Sequence, residues 1–247
     1  MSEYVIGGWT QNLTVEPPVT FSYSIYGMIT NFIALTSGTP DYPGWSVAAT
    51  PAPKVSGKVL WAYGGLGGTP TGTPFNQTDI EAIISATTSQ DWAGVDVDNE
   101  SEMNIDNVIN MMSSLKKSDR ETSYTFIAGW DYNHPESEPG ATINREVKAI
   151  ADSGACDRFC LMCYGDAMWP LSDITANVGP AIDRTIAHAG DPKKVILALT
   201  PAGLNSENLA YFLDQVTSKG IGGLFIWEFS TLQAADLQTI QDALAIS

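Results

Sequence analysis

Apolar positions along the chain follow two alternating patterns. Eight short runs rich in β-branched and aromatic residues read as strands: 4–9, 30–35, 58–63, 92–98, 123–129, 158–164, 194–200 and 221–227. Between the later runs, residues 78–89, 103–117, 142–153, 173–188, 206–219 and 232–245 carry apolar residues three and four apart, the period of amphipathic helices. Thr78 with Glu81 has the spacing of a capping box, and Gly190 and Gly220 stand where helices would end. Residues 10–29 and 36–57, rich in Pro, Gly, Ser and Thr, predict irregular or only briefly helical chain. Alternating strands and helices imply parallel strands with right-handed crossovers. Eight such units in about 250 residues predict a (β/α)₈ TIM barrel. A doubly wound sheet would normally place a glycine-rich phosphate loop after its first strand, and Gly7-Gly8-Trp9 does not match that fingerprint. With no internal repeat or linker, residues 1–247 are expected to form one barrel domain.

Composition narrows the partners. Asp and Glu number 28 against 12 Lys and Arg, a formal charge of −16. Phosphate backbones and anionic lipid are therefore disfavoured, so no nucleic acid and no membrane partner is expected. No run approaches the roughly 20 apolar residues of a membrane span. Nothing at the start reads as a signal peptide, which implies the cytoplasm as written, or export if a signal has been removed. Asn12 and Asn76 begin glycosylation sequons, a triplet common by chance. A monomer is expected.

The fourth strand carries the chemistry. Within Ala93-Gly94-Val95-Asp96-Val97-Asp98-Asn99-Glu100 the three acids are two apart. In a strand they share one face, with successive members about 6.5–7 Å apart, and Val95 and Val97 take the other. With the valines towards the helices, the acids enter the barrel near the strand's C-terminal end, where barrel enzymes place their sites. Like charges and desolvation there raise at least one carboxyl pKa and make a general acid. Glu100, outermost and longest, is the natural donor; Asp98 can share its proton, and Asp96 lies deeper. The spacing alone equally fits a solvated acidic loop. A metal set is disfavoured because the alternation spreads the acids along a line.

This segment resembles the Asp-x-x-Asp-x-Asp-x-Glu signature of family 18 glycoside hydrolases, the chitinases and endo-β-N-acetylglucosaminidases. Asp96, Asp98 and Glu100 match three of its four acids, and Gly94 its usual glycine. Trp61-Ala62-Tyr63-Gly64-Gly65 is similar to the family's Ser-x-Gly-Gly, Met162-Cys163-Tyr164 to its Met-x-Tyr, and Trp227 and Trp9 to tryptophans ending its last and first strands. The resemblance implies a retaining, substrate-assisted cleavage of β-1,4 bonds beside N-acetylglucosamine, in chitin-type or N-glycan-core chains, without a cofactor or metal. By that likeness Glu100 protonates the leaving oxygen, Asp98 orients the 2-acetamido group, Tyr164 donates to its carbonyl, and Asp96 tunes Asp98. Trp227, Met162, Tyr63, Trp130, Asp166 and Asn99 are the expected substrate contacts, Asn99 through a sugar hydroxyl. Ala93 stands where the first acid is expected, and Gly165 separates Tyr164 from Asp166. The short link Pro201–Asn205 leaves no room for the α+β insertion of larger members. These departures keep a second expectation open, a chitinase-like lectin, inhibitor or storage protein without turnover.

Other residues read as structure. Trp61 and Trp92 lie early in their strands and suit the core, whereas Trp130 and Trp169 follow strand ends and suit the rim. Cys156, Cys160 and Cys163 have the spacing of an iron–sulfur set, but Cys160 and Cys163 would face opposite sides of a strand, so they read as buried thiols. His134 is expected on the rim near substrate, and His188 as a partner of its helix C-terminus.

Overall fold

The computed structural model describes residues 4–30, 55–66 and 76–245. Eight parallel strands form a closed barrel in chain order: β1 (Val5–Thr10), β2 (Tyr23–Ile29), β3 (Lys58–Gly64), β4 (Gly94–Asp98), β5 (Glu121–Ile127), β6 (Arg158–Met162), β7 (Val195–Leu199) and β8 (Gly223–Trp227). Among the described residues the surrounding helices are α1 (Gln77–Ser89), α2 (Ile105–Lys117), the single turn α3 (Trp130–Asn133), α4 (Glu138–Ser153), α5 (Leu171–Ala189), α6 (Ser206–Ser218) and α7 (Ala234–Ala243). The link from β7 to α6 is short, and no α+β insertion follows β7.

One strand lies elsewhere than the pattern predicts. β2 is Tyr23–Ile29, inside the stretch expected to be irregular, with Ile25 and Tyr26 fully buried. Pro17, Pro18 and the neighbouring Ser and Thr residues dilute a seven-residue apolar run when composition is averaged over the segment. Of the expected strand 30–35, Thr30 is a bend and residues 31–35 lie outside the described residues, as do 36–54. The cap of α1 also differs. Asn76, not Thr78, accepts from the backbone N–H groups of Thr78 and Asp79, and the Asp79 carboxylate accepts from Asn76 N–H. The Asn76 sequon residue thus caps a helix.

Register decides which side chains meet inside. Ala62, Asp96 and Ser123 are aligned across β3, β4 and β5, as are Gly64, Asp98 and Thr125. These face the interior, because neighbours in register share a face. Trp61, Val95 and Thr122, and likewise Tyr63, Val97 and Tyr124, face the helices. In that outer layer Trp61 lies 5.1 Å from Trp92 and 5.8 Å from Tyr26, ring centre to ring centre. At the barrel floor the inward positions hold Lys58, Glu121 and Arg158. Glu121 accepts from Lys58 and, at 2.7 Å, from Arg158, whose guanidinium lies 4.2 Å from the centre of the Tyr23 ring. All three cysteines are free and buried. Burial raises their thiol pKa values and keeps them protonated.

Candidate active site

β4 carries its acids up the interior to the C-terminal mouth. Asp96 is the deepest and is fully buried. Trp9 Nε1–H donates to its Oδ2 at 2.8 Å, while Ser123 Oγ and Thr125 Oγ1 donate to Oδ1 at 2.5 and 2.8 Å. Burial nevertheless raises its pKa, against those three hydrogen bonds. Asp98, one step up, is 1% exposed, and its Oδ1 has no hydrogen-bond partner. Burial, then the charges of Glu100 and Asp96, push its carboxyl well above the ordinary 3.8. Glu100 follows the strand end and is only half-buried. Burial raises its pKa although Leu66 N–H donates to its Oε1 at 3.0 Å. Protonation of one of the two carboxyls would relieve this like-charge stack.

The Gly64-Gly65 pair lets β3 fold around Asp98. Both glycines have positive φ, 107° and 84°. A Cβ on Gly64 would sit 2.3 Å from the Asp98 carbonyl oxygen, and Gly65 N–H donates to that oxygen at 2.9 Å. Only glycine permits this approach at these dihedrals. From β6, Tyr164 reaches the same region. Burial and the charges of Asp98 and Glu100 hold its phenol pKa well above 10, so it is a hydrogen-bond donor throughout the physiological range.

These groups line a cavity of about 480 Å³. Asp98, Glu100, Tyr164, Met162, Asp166 and Trp227 all border it, with Asp96 beneath. Trp9, Gln11, Met28, Leu66, Thr125, Ile127 and Gly165 complete the wall. Of these, Gln11 and Thr125 carried a readable signal. Gln11 continues the alternation from Trp9, and Thr125 is an inward polar position of β5. Met28 belongs to the strand placed elsewhere by the sequence pattern. Glu228 is a support that the sequence did not reveal. Its carboxylate accepts from Thr10 Oγ1, from Gln11 N–H at 2.7 Å and from Ser230 Oγ at 2.5 Å, pinning the end of β1 to the residue after Trp227.

Three expected contacts lie away from the cavity wall. Tyr63 shares the outward face of Val97. Asn99 is turned towards the helix layer: its Nδ2 donates to the Tyr124 hydroxyl at 2.8 Å and to Glu146 Oε2 at 3.3 Å, and its Oδ1 accepts from Met103 N–H at 3.3 Å. Those bonds consume the amide that was expected to meet a sugar hydroxyl. Trp130 is 58% exposed and stacks at 3.9 Å on His134, and neither borders the cavity. His188 also differs from expectation. Burial and then Arg184 lower its pKa, and Nε2 lies 3.3 Å from Asn144 Oδ1, so it is a neutral side-chain partner and not a cation at the helix end.

No family model matches the sequence, and no curated protein matches it. Solved structures do share the fold. The catalytic domain of a hyperthermophilic chitinase from Pyrococcus furiosus is similar with a TM-score of 0.69 at 12% identity, over 100% of this chain and 98% of that one. A fungal endo-β-N-acetylglucosaminidase of glycosyl hydrolase family 18 gives 0.65 at 15% identity, over 97% and 95% of the two chains. A family 18 chitinase from Cycas revoluta, solved with allosamidin, gives 0.65 at 14%, over 97% and 99%. The resemblance read from the fourth strand therefore extends to the whole barrel as a fold.

Proposed function

We propose that the protein is a glycoside hydrolase that cleaves β-1,4 bonds on the reducing side of an N-acetylglucosamine unit, with retention and by substrate assistance. The observation that carries this reading is Asp98: a buried carboxyl group with a free Oδ1, bordering one cavity with Glu100 and Tyr164. In the first step the Glu100 carboxyl proton passes to the glycosidic oxygen and the C1–O bond breaks. The substrate's acetamido oxygen bonds to C1 and forms an oxazolinium ion. Asp98 orients the acetamido N–H and balances the cation, while the Tyr164 hydroxyl donates to the acetamido oxygen. A water then gives a proton to Glu100 and its oxygen to C1, reopening the ring with the original configuration. Trp227 offers the flat apolar face on which a pyranose ring packs. Cavity size and the chito-oligosaccharides bound in two chitinases of the same fold support a short N-acetylglucosamine segment as the bound unit.

The change at Ala93 bears little on this chemistry. Ala93 precedes β4 at the floor end, in phase with outward-facing Val95 and Val97, and its N–H donates to Val59 O at 3.0 Å. The test is Glu100→Gln assayed on a fluorogenic chitobioside. Turnover should fall by roughly a thousandfold with oligosaccharide binding retained. A wild-type protein that binds the sugar and never cleaves it supports the lectin-like reading instead, and an unchanged rate in the variant rejects the mechanism.

A further inference from the structure

The main chain that presents Glu100 is fastened from outside the barrel. Asn99, between Asp98 and Glu100, gives its N–H to Thr125 O at 3.0 Å and so stays in the ladder with β5 one residue past the end of β4. Its side chain is held at both ends. Oδ1 accepts from Met103 N–H and closes the turn 99–103 around Glu100; Nδ2 donates to the Tyr124 hydroxyl at 2.8 Å and to Glu146 Oε2 at 3.3 Å. The Tyr124 hydroxyl in turn donates to Glu146 Oε2 at 3.4 Å. A backbone N–H can only donate and an ionised carboxylate can only accept, whereas a hydroxyl between them can do either. Met103 and Glu146 therefore fix which way the amide faces. Tyr124 is fully buried on β5, and Met103 is 5% exposed with its Cε against Gly64, so the turn is packed on both sides. Glu146 comes from α4, none of whose residues borders the cavity.

Resting on the hydrolase reading above, we propose that Glu146 is a positioning residue for the proton donor: through Tyr124 and the Asn99 amide it holds the turn from which Glu100 projects. Asn99 stands in phase with outward-facing Val95 and Val97, where an apolar side chain would pack without any bond to set its direction. An amide in that place is costly unless its donors and acceptor are all met, so its bonds come as a set. Burial is the main influence that raises the Glu146 pKa, and Glu102 in the turn adds to it; the bond from Tyr124 and the charge of Arg145 on its own helix act the other way. Without Glu146, the Tyr124 hydroxyl is free to donate towards Asn99, the amide can rotate, and its bond to Met103 N–H is lost. A small displacement of the Glu100 carboxyl is then enough to slow proton transfer to a glycosidic oxygen.

The test compares Glu146→Ala and Glu146→Gln, with Ile150→Val on the buried face of the same helix as a packing control. Turnover of a fluorogenic chitobioside is read as kcat and KM, and the Glu100 carboxyl is titrated by carbon-13 NMR in the free protein. Glu146→Ala should lower kcat about tenfold with KM within about twofold of the wild type, and should bring the Glu100 midpoint down by about half a pH unit as the carboxyl turns towards water. Glu146→Gln keeps an acceptor oxygen of the same reach, so kcat should return to within about threefold and the midpoint to within about 0.2 of a pH unit. Tyr124→Phe should reproduce the loss seen with Glu146→Ala, and the two together should lose no more than about threefold beyond either alone. Ile150→Val should lower the melting temperature and leave kcat and the midpoint unchanged. An unchanged kcat in Glu146→Ala, equal effects of Ala and Gln, or an equal loss of kcat in Ile150→Val would overturn the proposal. A wild type that cleaves nothing rejects the hydrolase reading, and the NMR midpoint then decides the positioning role by itself: it stands if Glu146→Ala moves the midpoint and Glu146→Gln does not, and falls otherwise.

Discussion

The two ends of the barrel interior hold similar side chains in opposite arrangements. At the floor, Glu121 lies between Lys58 and Arg158, opposite charges in contact. At the mouth, Asp98 and Glu100 stand above Asp96 with no cation beside them among the described residues. The pKa shifts follow. Burial works to raise Glu121, but Lys58 and Arg158 outweigh it and hold it below its ordinary 4.5. Asp98 and Glu100 are held above theirs. A lowered carboxyl contributes stability that is present above its unfolded pKa and lost as pH falls through the folded value. A raised one contributes stability that is present at low pH and lost as pH rises through the folded value. The floor is thus arranged for stability near neutrality, and the mouth opposes it there, as a site that keeps a proton in reserve must.

Substitutions can separate the ends. The largest effect should come from Glu100→Gln, which loses roughly a thousandfold in turnover with no loss of melting temperature. Tyr164→Phe should lower kcat by roughly a hundredfold, with a smaller change in KM, if its hydroxyl meets the acetamido oxygen during reaction. At the floor, Glu121→Gln should cost about 1–2 kcal/mol in urea unfolding and leave kcat unchanged. A fall in kcat there would dissolve the distinction between the ends. Asp98→Asn should flatten the decline of stability above about pH 4, adding about 1 kcal/mol at neutrality. Melting curves from acid to neutral pH measure that slope. Trp130→Ala, on the exposed rim, should change stability by less than about 0.5 kcal/mol.

The same parity explains what the sequence disclosed. Period-two alternation in β4 put Asp96 and Asp98 inside and the two valines outside, and the register agrees. Applied as strictly to Tyr63 and Asn99, parity excludes both from the cavity. Tyr63 stands in phase with Trp61, and Asn99 falls between two inward acids. They entered the expected set through the motif likeness, which marks a segment without saying where each side chain points. Parity holds for a residue or two past a strand end and then lapses, so Trp130, farther beyond β5, could be set on the rim but not aimed. β2 was hidden by its prolines and hydroxyl-bearing neighbours. Glu228 was illegible for a different reason. Its partners Thr10 and Gln11 are more than two hundred residues away, and no local pattern reports a bond of that span.

That bond has a consequence for how activity arises. Trp9 comes from the first strand, Gln11 follows it directly and Trp227 ends the last, and Glu228 is the clasp where the two strands meet. A folding intermediate with strands two to seven assembled would possess the acids but neither indole wall. Sugar binding should therefore appear in the same kinetic phase as closure of the seam, and ligand should slow the opening of that seam above all others.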